Sequence, residues 1–181
     1  SIDMQILRDL FSNYIMASKA LNVDGELSAN VREAEKKLVP PQIGKDGALQ
    51  EWTNDWGQLE SNHRHFSHLY GLYPGNVLSS RKTPDFVNAC KAVLEQRGDG
   101  GAGWSRAWKV ALWARLHDGS RADKIFKGYL KEQSYPQLFA KCFTPLQVDG
   151  TLGMTAGISE LLIQSHEGFI ELLPALPADW S

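Results

Sequence analysis

The sequence is short of several things, and each shortage narrows what it can do. It has only two cysteines, Cys90 and Cys142, and neither stands in a Cys-x-x-Cys pair. That spacing implies no thiolate metal site and leaves buried free thiols as the expected state. An excess of one charge is missing too: 19 Lys and Arg against 21 Asp and Glu leave a formal net charge of -2. Such a balance carries no electrostatic footprint for nucleic acid or an anionic membrane, so neither is an expected partner. No run approaches the roughly 20 apolar residues of a membrane span. The first residues, Ile2 to Leu7, read as an amphipathic helix and not as a secretory leader. No period of solenoid length repeats. What remains is 181 residues, 43% hydrophobic and 22% charged, enough for one folded unit with a sizeable core.

The periodicity is helical almost throughout. Met4, Leu7, Leu10, Phe11, Tyr14, Ile15, Ser18 and Leu21 share one face at 3/4 spacing, which predicts a helix over 3–21. A turn at Asn22-Val23-Asp24-Gly25 leads to a second helix over about 27–38, stopped by Pro40-Pro41. Residues 40–62 read as irregular, with a short helix following at 65–72. Thr83-Pro84-Asp85 is a strong helix start, with Thr83 as N-cap and Gly98 as the stop. Further helices are expected over 104–117, 120–131 and 155–164, with a long loop at 132–150 and an extended segment at 169–173 that leaves the helical body. The expected class is all-α, with paired helices and unusual residues held in the loops between them.

Chemistry concentrates at His63-Arg64-His65-Phe66-Ser67-His68-Leu69-Tyr70-Gly71-Leu72-Tyr73-Pro74-Gly75. Three imidazoles and a guanidinium sit there among aromatic rings. Acid-bearing segments flank it, Leu49-Gln50-Glu51-Trp52 before and Gln147-Val148-Asp149-Gly150 after. Polar donors, stacking surfaces and two separated carboxyls suit the binding and cleavage of a sugar. By themselves, Glu51 reads as a solvated loop carboxylate and Asp149 as a turn aspartate before glycine. The three histidines lack the spacing of a helical zinc site, so no metal is expected, and structural roles are expected of His63 and His68. Trp104 and Trp108 lie at i, i+4, a spacing shared by core tryptophans and by sugar platforms. Asp99 fits a turn and a site equally, and His166 and Glu167 fit local capping. The glycine-dense run 98–103 lacks the Lys-Ser/Thr of a phosphate loop.

With these residues in view, the chain resembles the glycoside hydrolase family 95 catalytic domain, the family of inverting α-L-fucosidases. The matching blocks are 49–52, 63–75, Arg97 through Lys109, 147–150, Thr155 through Ile158, and Gln164 through Pro177. They occur in the family's order over nearly the whole chain.

The resemblance implies part of an (α/α)6 toroid. Residues 1–168 would supply the C-terminal part of the barrel, with about half its helices. Residues 169–181 would lead toward a further β domain. It implies hydrolysis of terminal α-L-fucosyl groups, typically α-1,2 linked, on a fucosylated oligosaccharide, with no cofactor and with action in the periplasm or outside the cell. It gives Glu51 the general-acid role and Asp149 that of the second acid. It points to Arg64 and His65 as the residues that reach the sugar hydroxyls, and Trp104 is the candidate to stack on the sugar's apolar face. The family's water-holding asparagines would precede Ser1. Where the family commonly reads Asp-Gly-Asn-Phe-Gly, this chain reads Asp149-Gly150-Thr151-Leu152-Gly153, which leaves L-fucose and L-galactose both open. The expected function is a fucosidase-type hydrolase that is weak or inactive alone; its rivals are a non-catalytic carbohydrate- or partner-binding helical module and a metal-dependent helical protein using the three histidines. Helix faces that lack neighbours would favour self-association.

Overall fold

The computed structural model describes residues 2–57 and 63–180; the last five positions of the irregular stretch expected at 40–62 lie outside the described residues. Helix α1 (Ile2–Leu21) and α2 (Gly25–Glu35) form an antiparallel hairpin. The turn between them holds Asn22 and Asp24 at φ 54°, a left-handed conformation that short polar side chains accept better than others. α1 docks through a polar residue. Gln5 is 3% exposed, donates to the carbonyl of His68 at 2.7 Å and accepts from the amide of Gly71 at 2.6 Å. The short helix expected at 65–72 is a single 3-10 turn, Ser67–Leu69, followed by hydrogen-bonded turns up to Pro74.

Helix α3 (Pro84–Arg97) starts where the sequence places it, but Thr83 does not cap it. Its hydroxyl turns back, donating to the Ser79 carbonyl at 3.2 Å and accepting from the Ser79 amide at 2.9 Å. Pro84 lacks an N–H, so the first turn has one donor fewer to satisfy. Helix α4 (Gly103–Arg115) is the centre of the fold, with eleven of its residues buried. α5 (Gly119–Glu132) and α6 (Val148–Leu162) both pack on it. Arg115 clamps α4 to α6 through Glu160 at 2.5 Å and 3.2 Å.

The loop expected at 132–150 is ordered by isolated bridges at Ser134–Ala140 and Lys141–Leu146, and it ends earlier than expected. α6 begins at Val148, seven residues before the predicted start. Gly150, Gly153 and Gly157 hid that start, because glycine weakens the helical signal. Packing reverses the argument. A Cβ on Gly150 would lie 2.8 Å from both the Ala140 Cβ and the Trp104 amide nitrogen. One on Gly153 would lie 2.6 Å from the Trp104 ring. The glycines form the face that lets α6 approach α4.

The extended segment forms strand β2 (Glu171–Leu172), paired antiparallel with β1 (Ile163–Gln164). The chain then returns to the helical body: Ala175 is 4% exposed, and the Trp180 indole donates to Asp123 at 3.0 Å. The described part of the chain is thus a mostly helical, all-α body with one two-stranded ribbon. Among the described residues, no helix is long and apolar enough to cross a membrane.

Candidate active site

Three helix ends and one irregular segment meet on one side of the body: the C-terminus of α3, the N-termini of α4 and α6, and residues 63–66. The residue that joins them is Arg97. Its side chain is 2% exposed, and the guanidinium donates to Glu51 Oε2 at 3.0 Å, to the carbonyl of His63 at 3.0 Å and to that of His65 at 2.8 Å. A buried guanidinium needs such partners, and charge-assisted bonds are the strong ones. Its position follows from the sequence: it is the last residue of α3, just before the glycine-dense run turns the chain into α4.

From there hydrogen bonds continue to α6. Ser105 Oγ donates to the Arg64 carbonyl at 2.8 Å. The neighbouring Trp104 amide donates to Gln147 Oε1 at 2.9 Å, and Gly103 N donates to the Lys141 carbonyl at 2.9 Å. Gln147 precedes α6, and Asp149 sits in that helix's first turn. Asp149 is exposed, and its Oδ1 accepts from the Gly150 amide at 3.0 Å. It is therefore a helix N-terminal carboxylate and not the loop aspartate that the sequence pattern implies, at a position where the helix dipole favours negative charge. Thr151, the departure from the family pattern, takes a structural part. Its hydroxyl accepts from the Ala140 amide at 2.8 Å and donates to the Gln147 carbonyl at 3.2 Å, which fixes the 140s loop to α6.

The other candidates divide. Glu51 keeps 18% of its side-chain surface exposed, so one edge faces outward while Oε2 is held. Arg64 and His65 have exposed side chains. Burial, then the charges of Arg64 and His63, lower the His65 pKa from its ordinary value. The His63 and His65 rings lie 5.4 Å apart. Trp104 is half-buried, with its ring centroid 5.6 Å from that of Trp108. Trp108 belongs to the core and donates from its indole to the Tyr73 carbonyl at 2.8 Å. Among the described residues no group of three His, Cys, Asp or Glu is gathered for a metal ion. Asp99 is an ion-pair partner for α5, 2.6 Å from Arg121 and 2.9 Å from Lys124. Glu167 pairs with Arg81 at 3.0 Å.

His68 differs from its expectation. Its ring is fully buried, neither nitrogen has a hydrogen-bond partner among the described residues, and Nδ1 lies 3.7 Å from Glu51 Oε2. Burial, reinforced by Arg97, pushes its pKa down to about 3, so the ring beside Glu51 is neutral near pH 7. Arg97 and Lys109 carry more of the site than the sequence reading assigned them. Lys109 is 1% exposed, and its ammonium donates to the Gly100 carbonyl at 2.7 Å, holding the glycine-dense run. Burial pushes its pKa down to about 8. Both lie inside a block already singled out. A lysine between Trp108 and Val110 on an apolar helix was the available signal.

The sequence profile of the Glycosyl hydrolase family 95 catalytic domain matches residues 1–162. The chain belongs to that family. It is 39% identical to "Alpha-L-fucosidase 2" of Arabidopsis thaliana, over 99% of this chain and 22% of that protein. It is 26% identical to "Probable alpha-fucosidase A" of Aspergillus niger, over 97% of this chain and 25% of that protein. The protein of the same description in Aspergillus oryzae is 27% identical, over 98% of this chain and 28% of that protein. This family 95 chain thus spans about a quarter of the length of the curated relatives it matches.

Proposed function

We propose that the chain forms part of the catalytic domain of an inverting α-L-fucosidase acting on terminal α-1,2-linked fucosyl groups. The observation that carries the reading is the hydrogen-bonded run from Glu51 through Arg97, the backbone of 63–65, Ser105 and Trp104 to Gln147, two residues from Asp149. Inversion requires a protonated carboxyl for the leaving oxygen and a second carboxyl far enough away to admit water, about 6.5–9.5 Å. Glu51 takes the acid role. Because Oε2 accepts from Arg97, the proton to be delivered belongs on Oε1. Asp149 takes the second role, and Arg64, His65 and Trp104 contact the fucosyl ring.

The six helices described are about half of what an (α/α)6 barrel needs, so little or no turnover of 2′-fucosyllactose is expected from this chain alone. Turnover at the level of an intact enzyme would contradict that. An NMR titration with L-fucose tests the site directly. Signals of Arg64, His65, Trp104 and 147–150 should move together, and shifts confined to other regions would refute the assignment.

A further inference from the structure

Among the buried polar residues described, His68 at 0% is the least exposed. The 3-10 turn Ser67–Leu69 carries it, and that turn is tied down. The His68 carbonyl accepts from Gln5 of α1 at 2.7 Å, and the Leu69 and Tyr70 amides donate to the Phe66 and Ser67 carbonyls at 2.9 Å and 3.1 Å. Swinging the ring into water would undo the docking of α1. Yet neither ring nitrogen has a hydrogen-bond partner among the described residues. Buried polar groups are nearly always paired, so a ring sealed in this way calls for a reason.

Two ionisable groups lie close to it. Glu51 Oε2 is 3.7 Å from Nδ1, and the Arg97 guanidinium donates to that same oxygen at 3.0 Å. Burial, then the charge of Arg97, push the His68 pKa to about 3, so near pH 7 the ring is neutral and carries one N–H. The proton has two places to sit. On Nε2 it would leave the Nδ1 lone pair facing the lone pairs of Oε2, which repel. On Nδ1 it aims a donor at a carboxyl oxygen. A separation of 3.7 Å is longer than a hydrogen bond. Donors of this kind are often long in a resting site and tighten as charge develops.

We infer that His68 carries its proton on Nδ1 and is a positioning residue for the acid, the second donor to Glu51 Oε2. The inference rests on the reading of Glu51 as the acid. Two donors on Oε2 make it the carbonyl-like oxygen and leave the deliverable proton on Oε1. When Oε1 gives that proton to the leaving oxygen, the sugar C–O bond breaks and the carboxyl becomes a carboxylate. Negative charge grows on Oε2, and the Nδ1–H contact shortens to meet it. His68 keeps its own proton throughout, so the ring is neutral before and after the step.

Long-range proton–nitrogen NMR spectra of the 181-residue chain with labelled histidine, recorded between pH 6 and pH 8, test this. His68 should show a protonated Nδ1 and a bare Nε2, and Glu51→Ala should let the Nε2–H form appear. Asparagine places an amide N–H near the position of Nδ1, and glutamine places one near that of Nε2. His68→Asn should therefore keep the Glu51 carboxyl carbon signal close to its original position, whereas His68→Gln should move it. A proton on Nε2 in the unaltered chain would overturn the donor and leave the acid reading standing, and this measurement needs no variant to fold. A tautomer indifferent to Glu51→Ala, or equal displacement of the Glu51 signal by both amides, would reduce His68 to a packing residue. If L-fucose moves no signal at Arg64, His65 or Trp104, the acid reading fails and the positioning role with it, even where the proton is on Nδ1.

Discussion

Arg97 sits where three acceptors among the described residues converge, and no single side chain of another type replaces it. Lysine presents a point charge without the planar fork that reaches a carboxylate and two carbonyls together. Removing one member of a buried ion pair leaves an uncompensated charge or unsatisfied carbonyls, typically at about 3–5 kcal/mol. Arg97→Ala should therefore lower stability by about 3 kcal/mol or more. Glu51→Gln keeps an acceptor but removes the charge that compensates the guanidinium, so it should cost less than Arg97→Ala, which also strands two carbonyls, at about 1.5–3 kcal/mol. Urea unfolding of the two variants checks the order, and equal losses would contradict it.

His68 makes stability depend on pH. Its folded value of about 3 lies below the ordinary 6.5, so between those values the unfolded chain binds a proton that the folded chain does not. Stability rises with pH through that window and is complete above it. Moving from pH 7 to pH 5 should cost about 2 kcal/mol at this residue. His68→Asn should flatten the slope, and an unchanged slope would show that other groups govern it. Neither behaviour was legible in the sequence. The motif showed a guanidinium and three imidazoles but not which ring is sealed beside an acid.

At the scale of elements, the helix starts that depend on local signals were readable. Pro84, the Asn22–Gly25 turn and the 3/4 spacing of α1 are all short-range features. α6 was not readable in full, because its first turns contain glycine for reasons that lie on α4. Alanine at an exposed helical position gains up to about 1 kcal/mol over glycine. At Gly153 the added methyl would meet the Trp104 ring at 2.6 Å, and at Gly150 it would meet backbone at 2.8 Å. Overpacking of this kind typically costs about 1–3 kcal/mol. Gly150→Ala and Gly153→Ala should both destabilise, whereas Gly25→Ala, with nothing within 4 Å, should be neutral or stabilising. Thermal melts of the three variants separate the two effects. A stabilised Gly150→Ala would show that α6 does not need this close approach.

The whole molecule keeps apolar residues on its surface that its own core does not use. On α1, Leu10, Met16 and Leu21 are 56%, 58% and 71% exposed, although Leu10 and Leu21 belong to the stripe that predicts the helix. Phe143 at 76% and Ile170 at 67% add to this. The stripe correctly told helix from strand, but an amphipathic pattern does not say what covers it. Surfaces of this kind favour association. Light scattering of the isolated chain should show oligomers that grow with concentration. Leu10→Lys with Met16→Lys should reduce them, and a concentration-independent monomer would contradict the expectation.

The sequence by itself determined the helical class, most helix boundaries and the blocks that place the chain in family 95, because these rest on local periodicity, punctuation and residue identity. The tertiary structure alone decided that Asp149 rides on a helix, that Arg97 ties Glu51 to the 63–65 backbone, and that Trp108 is core while Trp52 and Trp56 face solvent. Those outcomes depend on contacts between segments tens of residues apart. Such contacts are fixed by packing, charge satisfaction and close approach, and no local pattern encodes them.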